Sequence, residues 1–334
     1  MKIIPTARKL GNENRRVCLA IGVFDGVHLG HQQIIRQTIA DARQHDCLSV
    51  VLTFDRHPNA TVAPDRVPPL IYSQPQKLRA VELLGADAVL IQRFDRAFSR
   101  QTGEDFIRIL ARDLSGGEPR LCGPQPVESA GLAAGRRSAG QRCIQSICVG
   151  ADFVFGYKRS GNVALLRKLG QELNFTVHGV AAVSLDGQVV SSTRIREAIR
   201  VGDFDAASQM LGRAYALAAN VIEGDKLGHK LGFPTANLNA TGFVLPPNGV
   251  YAAHATVRGE THRAVLNIGQ RPTVTRPRPQ LRVEVHLLDF TGELYGDEIS
   301  VTFLARLRDE RKFASLEELK AQIARDIAET RNAF

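Results

Sequence analysis

The stretch GVFDGVHLGH, residues 22–31, constrains the fold more than any other part of the chain. It joins an apolar run, which predicts a buried strand, to a helical pattern that begins near residue 31. Its three glycines supply a backbone without side chains, which lets main-chain amides approach an anion, and the helix directs the positive end of its dipole at the same place. The stretch therefore predicts a phosphate-binding turn, with glycines at Gly22, Gly26 and Gly30.

Two histidines flank the start of that helix, His28 and His31. An imidazole in this position can donate a hydrogen bond to a phosphate and to the charge that grows on it during transfer. The alternative is that both histidines only cap a helix. Their place inside a glycine-spaced strand-to-helix turn favours the phosphate-binding interpretation.

Strand-like runs alternate with helical stretches through the first half of the chain. The strands are predicted at residues 17–24, 48–54, 88–92 and 144–149, and the helices at 31–44, 73–84, 102–114 and 163–173. This alternation predicts a parallel sheet with crossover helices. Ligands of such sheets bind at the carboxyl ends of the strands, where both the glycine turn and the run TFDRHP, residues 53–58, are expected.

The run VSSTRIR, residues 190–196, predicts the start of another helix, capped by Ser191, Ser192 or Thr193. Arg194 and Arg196 fall in its first turns. Cations there oppose the helix dipole, which suggests that an anionic ligand compensates them. An ordinary capped surface helix is the alternative.

After a short helix at residues 203–211, which resembles a linker, the pattern changes to strands of period two. These are predicted at residues 215–222, 250–257, 262–267, 281–288 and 299–304, and their close spacing indicates a small antiparallel barrel. The chain ends in an amphipathic helix with a capping box at Ser315 and Glu318. We assign its apolar stripe to packing; the stripe consists of Leu316, Leu319, Ile323 and Ile327.

A glycine-rich basic loop, residues 224–232, precedes the run FPTAN, residues 233–237. The loop is suited to cradle phosphates, and the oxygens of Thr235 and Asn237 are hard ligands fit for one magnesium ion. Further on, strand alternation places Glu284 on one face with Arg282 and His286. A solvated carboxylate is the alternative to a functional one at this position.

The composition of the chain limits the classes of function that it can have. The net charge of +9 comes from scattered basic residues, so small anionic substrates explain it as well as nucleic acid does. No apolar run approaches the roughly 20 residues of a membrane span, and we expect a cytoplasmic protein. The odd number of cysteines and the lack of a CxxC spacing predict reduced thiols and no zinc. The chain contains Cys18, Cys47, Cys122, Cys143 and Cys148.

In their order along the chain, the motifs resemble those of the bacterial bifunctional riboflavin kinase and FAD synthetase family, nearly end to end. The matching runs are GVFDGVHLGH, TFDRHP, RFDRAFS, VGADFVFG, VSSTRIR, GFPTAN, PNGVYA, NIGQRPT and VEVHLLDF. The resemblance implies an α/β protein with two domains. Residues 1–202 would form a Rossmann-like nucleotidylyltransferase domain that moves AMP from ATP onto FMN. Residues 203–334 would form a six-stranded β-barrel flavokinase domain with a terminal helix that makes the FMN.

The resemblance also implies roles for individual residues. His28, His31, Arg196 and Glu284 would be catalytic, with Glu284 in the kinase. ATP and its phosphates would be bound by Gly22, Phe24, Gly26, Gly30, Ser192, Thr193, Gly224, Gly228, Gly232 and Pro234. The flavin would contact Asp25, Asp152 and Asn267, and magnesium would bind Thr235 and Asn237.

The expected ligands are riboflavin, FMN, FAD and ATP with Mg²⁺, and we expect no nucleic acid, no membrane, and a monomer or weak homo-oligomer. Two other functions stay open: a single-activity nucleotidylyltransferase with a degenerate barrel, and a flavin-binding regulator that contacts RNA. Three departures from the family stand out. Arg56 replaces a proline, His229 replaces an arginine, and residues 115–142 form an insertion, predicted to be a loop remote from the phosphate sites.

Overall fold

The computed structural model describes residues 1–12, 15–115, 143–224, 228, 231–271 and 280–332. The insertion from residue 116 onwards, His229 and the end of the run NIGQRPT lie outside these residues. Two compact units are present: Met1–Pro68 with Gln74–Val190, and Pro69–Ser73 with Ser191–Phe334. The boundary predicted after residue 202 separates two functional domains, not these compact units, and it stays a prediction.

The first unit contains the predicted parallel sheet. Its strands are β1 (Lys2–Ile4), β2 (Val17–Ile21), β3 (Leu48–Phe54), β4 (Ala88–Gln92), β5 (Ile144–Gly150), β6 (Val154–Phe155), β7 (Gly161–Asn162), β8 (Thr176–Val180), β9 (Ser184–Leu185) and β10 (Gln188–Val189). Six of them form one sheet in the order β1-β4-β3-β2-β5-β8, and every pair in it is parallel. The sequence analysis missed β1 and β8, because neither carries a continuous apolar run.

Helices cover the sheet: α1 (Leu29–Gln44), α2 (Asn59–Val62), α3 (Gln74–Leu83), α4 (Gly103–Leu114) and α5 (Val163–Leu173). All five residues of β2 are buried, as expected for a strand covered on both faces. Val17, Leu19 and Ile21 join the core that includes residues of α4 and α5. Cys18 clusters instead with Ala42 of α1. The predicted extension of this strand to residue 24 is wrong, because the chain turns at residue 22.

The cysteines follow the prediction in part. Cys18, Cys47 and Cys148 are free and buried. Cys143 carries a disulfide, so the expectation that every thiol is reduced is wrong at that position.

The second unit begins with α6 (Ser192–Val201) and α7 (Phe204–Leu211), and Ser191 is the residue that caps α6, because its hydroxyl accepts from the Arg194 amide at 3.3 Å. A closed barrel follows in the order β11-β12-β15-β14-β13-β16. Its strands are β11 (Ala216–Ile222), β12 (Ala236–Leu238), β13 (Gly249–Val257), β14 (Glu260–Arg271), β15 (Gln280–Leu287) and β16 (Glu298–Arg308). The six strands confirm the barrel. Period-two patterning did not reveal the short strand β12.

Helix α7 is part of the barrel's packing and not a linker, which corrects the sequence-based interpretation. The ring of Phe204 stacks on Phe303 of β16 with centroids 4.7 Å apart. Tyr215 and Tyr251 contact the same two rings. This aromatic cluster anchors the helix to β13 and β16.

The terminal helix α8 (Leu316–Asn332) is held by a buried ion pair. The carboxylate of Asp326, 2% exposed, accepts from Arg308 of β16 at 2.8 and 3.0 Å. At the other end of the helix, Ser315 caps it by accepting from the Glu318 amide at 3.2 Å. The assignment of the apolar stripe to packing is wrong for Leu316, which is 54% exposed because it lies in the first turn.

We predict that Asp326→Ala destabilises the barrel by about 3–5 kcal/mol, because Arg308 is left as a partly buried charge without its carboxylate. The matched control is Arg331→Ala, which removes an exposed ion pair near the end of the same helix, where Arg331 lies 2.7 Å from Asp289. That pair contributes about 0–1 kcal/mol. Guanidinium unfolding followed by tyrosine near-ultraviolet circular dichroism measures both. Equal losses would contradict the role of the buried pair.

Candidate active sites

The phosphate-binding turn is built around a strained aromatic residue. The Gly22 amide donates to the Leu52 carbonyl of β3 at 3.1 Å, and the chain then reverses. Phe24 is 1% exposed and has left-handed backbone angles, φ 54° and ψ 34°. A Cβ at Gly22 would lie 2.9 Å from the Phe24 ring, so only glycine fits beside it. Gly26 also has a positive φ, 78°, which glycine adopts without strain.

The two histidines lie together at the start of α1, as predicted. Their rings stack with centroids 3.6 Å apart, and the edge of Phe24 meets the His31 ring at 5.2 Å. His28 is the residue that precedes the helix and is 6% exposed. A Cβ at Gly30 would come within 3.3 Å of the His28 ring, so this glycine leaves room for the imidazole.

His31 is held in its neutral form. Burial, the neighbouring His28 and the cation of Lys77 lower the pKa of His31 well below its usual range. Its Nδ1 atom is buried and makes no hydrogen bond within the described part of the chain. A neutral imidazole can still donate one hydrogen bond to an anion.

Lys77 of α3 is a residue that the sequence analysis missed. Its ammonium group donates to Thr53 Oγ1 at 3.2 Å and to the Val23 carbonyl at 3.3 Å, and so joins the carboxyl ends of β2 and β3. Burial lowers the pKa of Lys77 to about 8, and the carboxylates of Asp25 and Asp55 oppose that shift. A buried lysine inside a helical pattern gives no sequence signal, because its environment depends on the packing of α3.

The two aspartates predicted to contact flavin follow neighbouring strands of the sheet. Asp25 is buried just beyond β2, and Asp152 is exposed in the turn that leaves β5. Both therefore lie at the carboxyl edge of the sheet, where ligands of such sheets bind. Their contact with flavin stays a prediction.

The residues of the second phosphate motif open helix α6. Ser192 and Thr193 are its first two residues, and Thr193 is exposed. Arg196 is 7% exposed, and its Nε donates to the Pro69 carbonyl at 2.6 Å. This contact fixes the guanidinium to the backbone of the same unit. The binding of ATP phosphates by these residues stays a prediction.

The barrel brings five residues with predicted roles to one cavity of about 400 Å³: Gly228, Thr235, Asn237, Asn267 and Glu284. Glu284 of β15 lies directly opposite Asn237 of β12 on one side and Asn267 of β14 on the other. The row continues through Val250 of β13 to Arg308 of β16. Cross-strand neighbours present their side chains on the same face. All five residues of this row line the cavity, together with Thr235.

Alternation along β15 places Glu284 as predicted. Val283 and Val285 are buried, whereas the Glu284 side chain is 30% exposed to the cavity. Arg282 Nη1 is 3.9 Å from Glu284 Oε1. His286, on the same face, contacts the Pro234 carbonyl at 2.7 Å through Nδ1. This contact ties the segment just before β12 to β15.

Two glycines of the basic loop, Gly224 and Gly228, lie close to the residues predicted to bind magnesium. A Cβ at Gly224 would lie 2.0 Å from the Asn237 amide nitrogen, and a Cβ at Gly228 would lie 2.9 Å from the Thr235 hydroxyl oxygen. Gly232 has a φ of 89°. These contacts explain the glycine spacing, since a side chain at either of the first two positions would displace a proposed ligand.

The terminal helix and the segment before it supply a wall of the cavity that the sequence analysis did not assign to the site. Leu319 and Ile323 of α8 line it, as do Glu310 and Phe313. The Arg311 guanidinium lies over the Phe313 ring, 4.8 Å from its centroid. These residues are far from the motifs in sequence, so only the packing of α8 on β14 reveals them.

The fold is that of an enzyme with two units, a parallel sheet with helices and a closed barrel, and each unit carries a cluster of the predicted site residues. Family models agree: "FAD synthetase" matches residues 11–115 and 140–194, and "Riboflavin kinase" matches residues 211–334. The Escherichia coli K12 bifunctional riboflavin kinase/FMN adenylyltransferase is 36% identical and covers 100% of this chain and 98% of its own length. The Bacillus subtilis enzyme of the same description is 32% identical and covers 96% and 94%. The chain belongs to the bifunctional riboflavin kinase/FMN adenylyltransferase family.

Among solved structures, the chain is similar to a crystal structure described as a macrolide-efflux protein from Streptococcus pneumoniae. The two share 26% identity with a TM-score of 0.74, and the match covers 99% of each chain. Within the described residues, no helix combines the length and apolarity that crossing a membrane requires.

We predict that His31 stays neutral at pH 6, where a histidine with its ordinary pKa of about 6.5 is mostly protonated. Because the unfolded chain then binds more protons than the folded one, the stability of the first unit falls as the pH drops below about 6.5. Ring ¹⁵N shifts of labelled protein report the protonation state, with unfolded protein as the control. ATP with Mg²⁺ should raise this pKa. A free-protein midpoint near 6.5 would contradict the desolvated site.

Proposed function

We propose that the two activities of this enzyme, phosphorylation of riboflavin and adenylylation of FMN, take place at the barrel cavity and at the glycine–histidine turn, respectively. The observation that carries the first assignment is the row Asn237, Glu284 and Asn267 on one cavity face. The second rests on the stacked His28 and His31 at the start of α1.

In the kinase reaction, the riboflavin primary alcohol attacks the γ-phosphorus of ATP and ADP leaves. An alcohol is a very weak acid, so a carboxylate that accepts its proton as the bond forms lowers the barrier. Glu284 takes this proton. Arg282 Nη1 lies 3.9 Å from Glu284 Oε1, on the same face of β15.

The donor set beside Glu284 fits magnesium. The Thr235 hydroxyl and the Asn237 amide line the same cavity as the carboxylate, and all offer hard oxygen atoms. Mg²⁺ bound there with ATP neutralises charge on the phosphates. Gly224 lies beside Asn237 and Gly228 beside Thr235, and we assign the amides of these two glycines to the same phosphates.

In the adenylyltransferase reaction, a phosphate oxygen of FMN attacks the α-phosphorus of ATP, and pyrophosphate leaves. The nucleophile is already an anion and needs no general base. Alignment and charge stabilisation are sufficient. His28, His31 and the amides at the start of α1 supply them, and we assign Arg196, Ser192 and Thr193 to the same phosphates.

Neither alternative function has support. Both family models match the chain, which leaves no reason to treat the barrel as degenerate, and nothing favours a regulator that contacts RNA. We place the enzyme in the cytoplasm, where ATP and riboflavin meet. Its oligomeric state, predicted as monomer or weak homo-oligomer, stays a prediction.

We predict that Glu284→Gln nearly abolishes FMN formation from riboflavin and leaves adenylylation of supplied FMN within about two-fold, since glutamine keeps the shape but accepts no proton. Chromatographic separation of the flavins after incubation with ATP and Mg²⁺ measures both steps. Glu260→Gln, an exposed glutamate on β14, is the matched control and should change neither. Parallel loss of both activities in E284Q would refute the separate-site assignment.

We predict the opposite pattern for His28→Ala. Loss of one phosphate donor costs the adenylyl transfer roughly 2.7–4 kcal/mol, or about 10²–10³ in kcat, while riboflavin phosphorylation persists. His45→Ala, just beyond the opposite end of α1, is the control. Unchanged FAD formation from FMN in H28A would remove His28 from the catalytic assignment.

A further inference from the structure

A group of side chains with potential metal-ligand atoms lies in the first unit, on the face of the sheet covered by α1. Strand register creates it, because Cys148 of β5 lies directly opposite His178 of β8. Asp41 of α1 reaches the same place. One donor atom from each of the three side chains lies within 4.8 Å of the others.

We propose that Asp41, Cys148 and His178 form a site for a transition-metal ion, with Zn²⁺ the ion that their donor atoms suit best. Sulfur, imidazole nitrogen and carboxylate oxygen are the three ligand types of zinc sites. Calcium and magnesium take oxygen ligands only. The expectation of no zinc rests on the lack of a CxxC spacing, which carries no information about ligands that meet through tertiary structure.

The spacing of the nitrogen and oxygen ligands fits zinc. His178 Nε2 is 3.4 Å from Asp41 Oδ2. Tetrahedral coordination with bonds of about 2.0–2.2 Å sets neighbouring nitrogen and oxygen ligands about 3.3–3.6 Å apart. Moreover, His178 Nε2 is a buried atom without a hydrogen-bond partner in the described part of the chain. A metal ion would satisfy it.

The surroundings support such a site. The Ser146 hydroxyl donates to Asp41 Oδ2, and metal-bound carboxylates are commonly held by a further hydrogen bond of this kind. Cys148 is fully buried, whereas the His178 side chain is 32% exposed. On binding, the Cys148 thiol forms a bond to Zn²⁺ and releases its proton to solvent. A thiolate and a carboxylate then balance the two charges of the ion.

The test uses the full-length reduced protein after chelator treatment, with Mg²⁺ in excess to occupy oxygen-only sites. Competition with a chromogenic chelator measures Zn²⁺ stoichiometry, and Co²⁺ reports sulfur ligation by its charge-transfer absorption. We expect one Zn²⁺ per chain and a thiolate–cobalt band. Cys148→Ser should remove the band, and His178→Gln should weaken Zn²⁺ affinity at least about ten-fold. The control Cys47→Ser, a buried thiol outside the triad, should change neither.

Absence of stoichiometric Zn²⁺ binding would overturn the proposal. Binding that survives both Cys148→Ser and His178→Gln would overturn it as well, because the ion would then lie elsewhere. If Cys148→Ser fails to fold by circular dichroism, His178→Gln decides alone, since its partly exposed side chain is not required for the core. Flavin conversion does not enter the measurement, so its result is independent of the proposed catalytic sites.

Discussion

Strand register determines where the chemistry-bearing side chains of this protein meet. Because successive side chains of a strand point to opposite faces, each strand can bury one set and present the other. On β15 the valines at 283 and 285 fill the barrel, and Glu284 faces the cavity between Asn237 and Asn267. A shift of one residue in this pairing would turn the carboxylate inward and the valines outward.

The two proposed sites differ in the chemical groups that they offer, and the difference matches the reaction we assign to each. At the glycine–histidine turn, burial keeps His31 neutral, and the site offers hydrogen bonds and helix amides without a strong base. That is sufficient for a nucleophile that is already an anion. In the barrel, the carboxylate of Glu284 faces the cavity between Asn237 and Asn267, where our assignment has it accept a proton from an alcohol. In this assignment, the alcohol nucleophile explains why the barrel site contains a base, and the anionic nucleophile explains why the other site does not.

Sequence patterns predicted most of this organisation because the relevant signals are local. Apolar runs predicted the bounds of β3 and β4, and the spacing of GVFDGVHLGH predicted that both histidines lie at the start of α1. Alternation placed Glu284. The features that the sequence did not reveal depend on tertiary contacts. Lys77 joins the ends of β2 and β3 only when α3 packs over them, and Cys148 meets His178 only through the pairing of β5 with β8. Leu316 fits the helical stripe, yet its position in the first turn of α8 leaves it exposed.

The central claim is that one chain carries two complete and independent active sites, with FMN passing between them. Mixing the purified variants Glu284→Gln and His28→Ala tests it most directly, with riboflavin, ATP and Mg²⁺ supplied. Each variant alone should form almost no FAD from riboflavin, whereas the equimolar mixture should form it, since one variant supplies the FMN that the other adenylylates. A mixture that accumulates FMN without FAD, or that forms neither flavin nucleotide, would contradict the account.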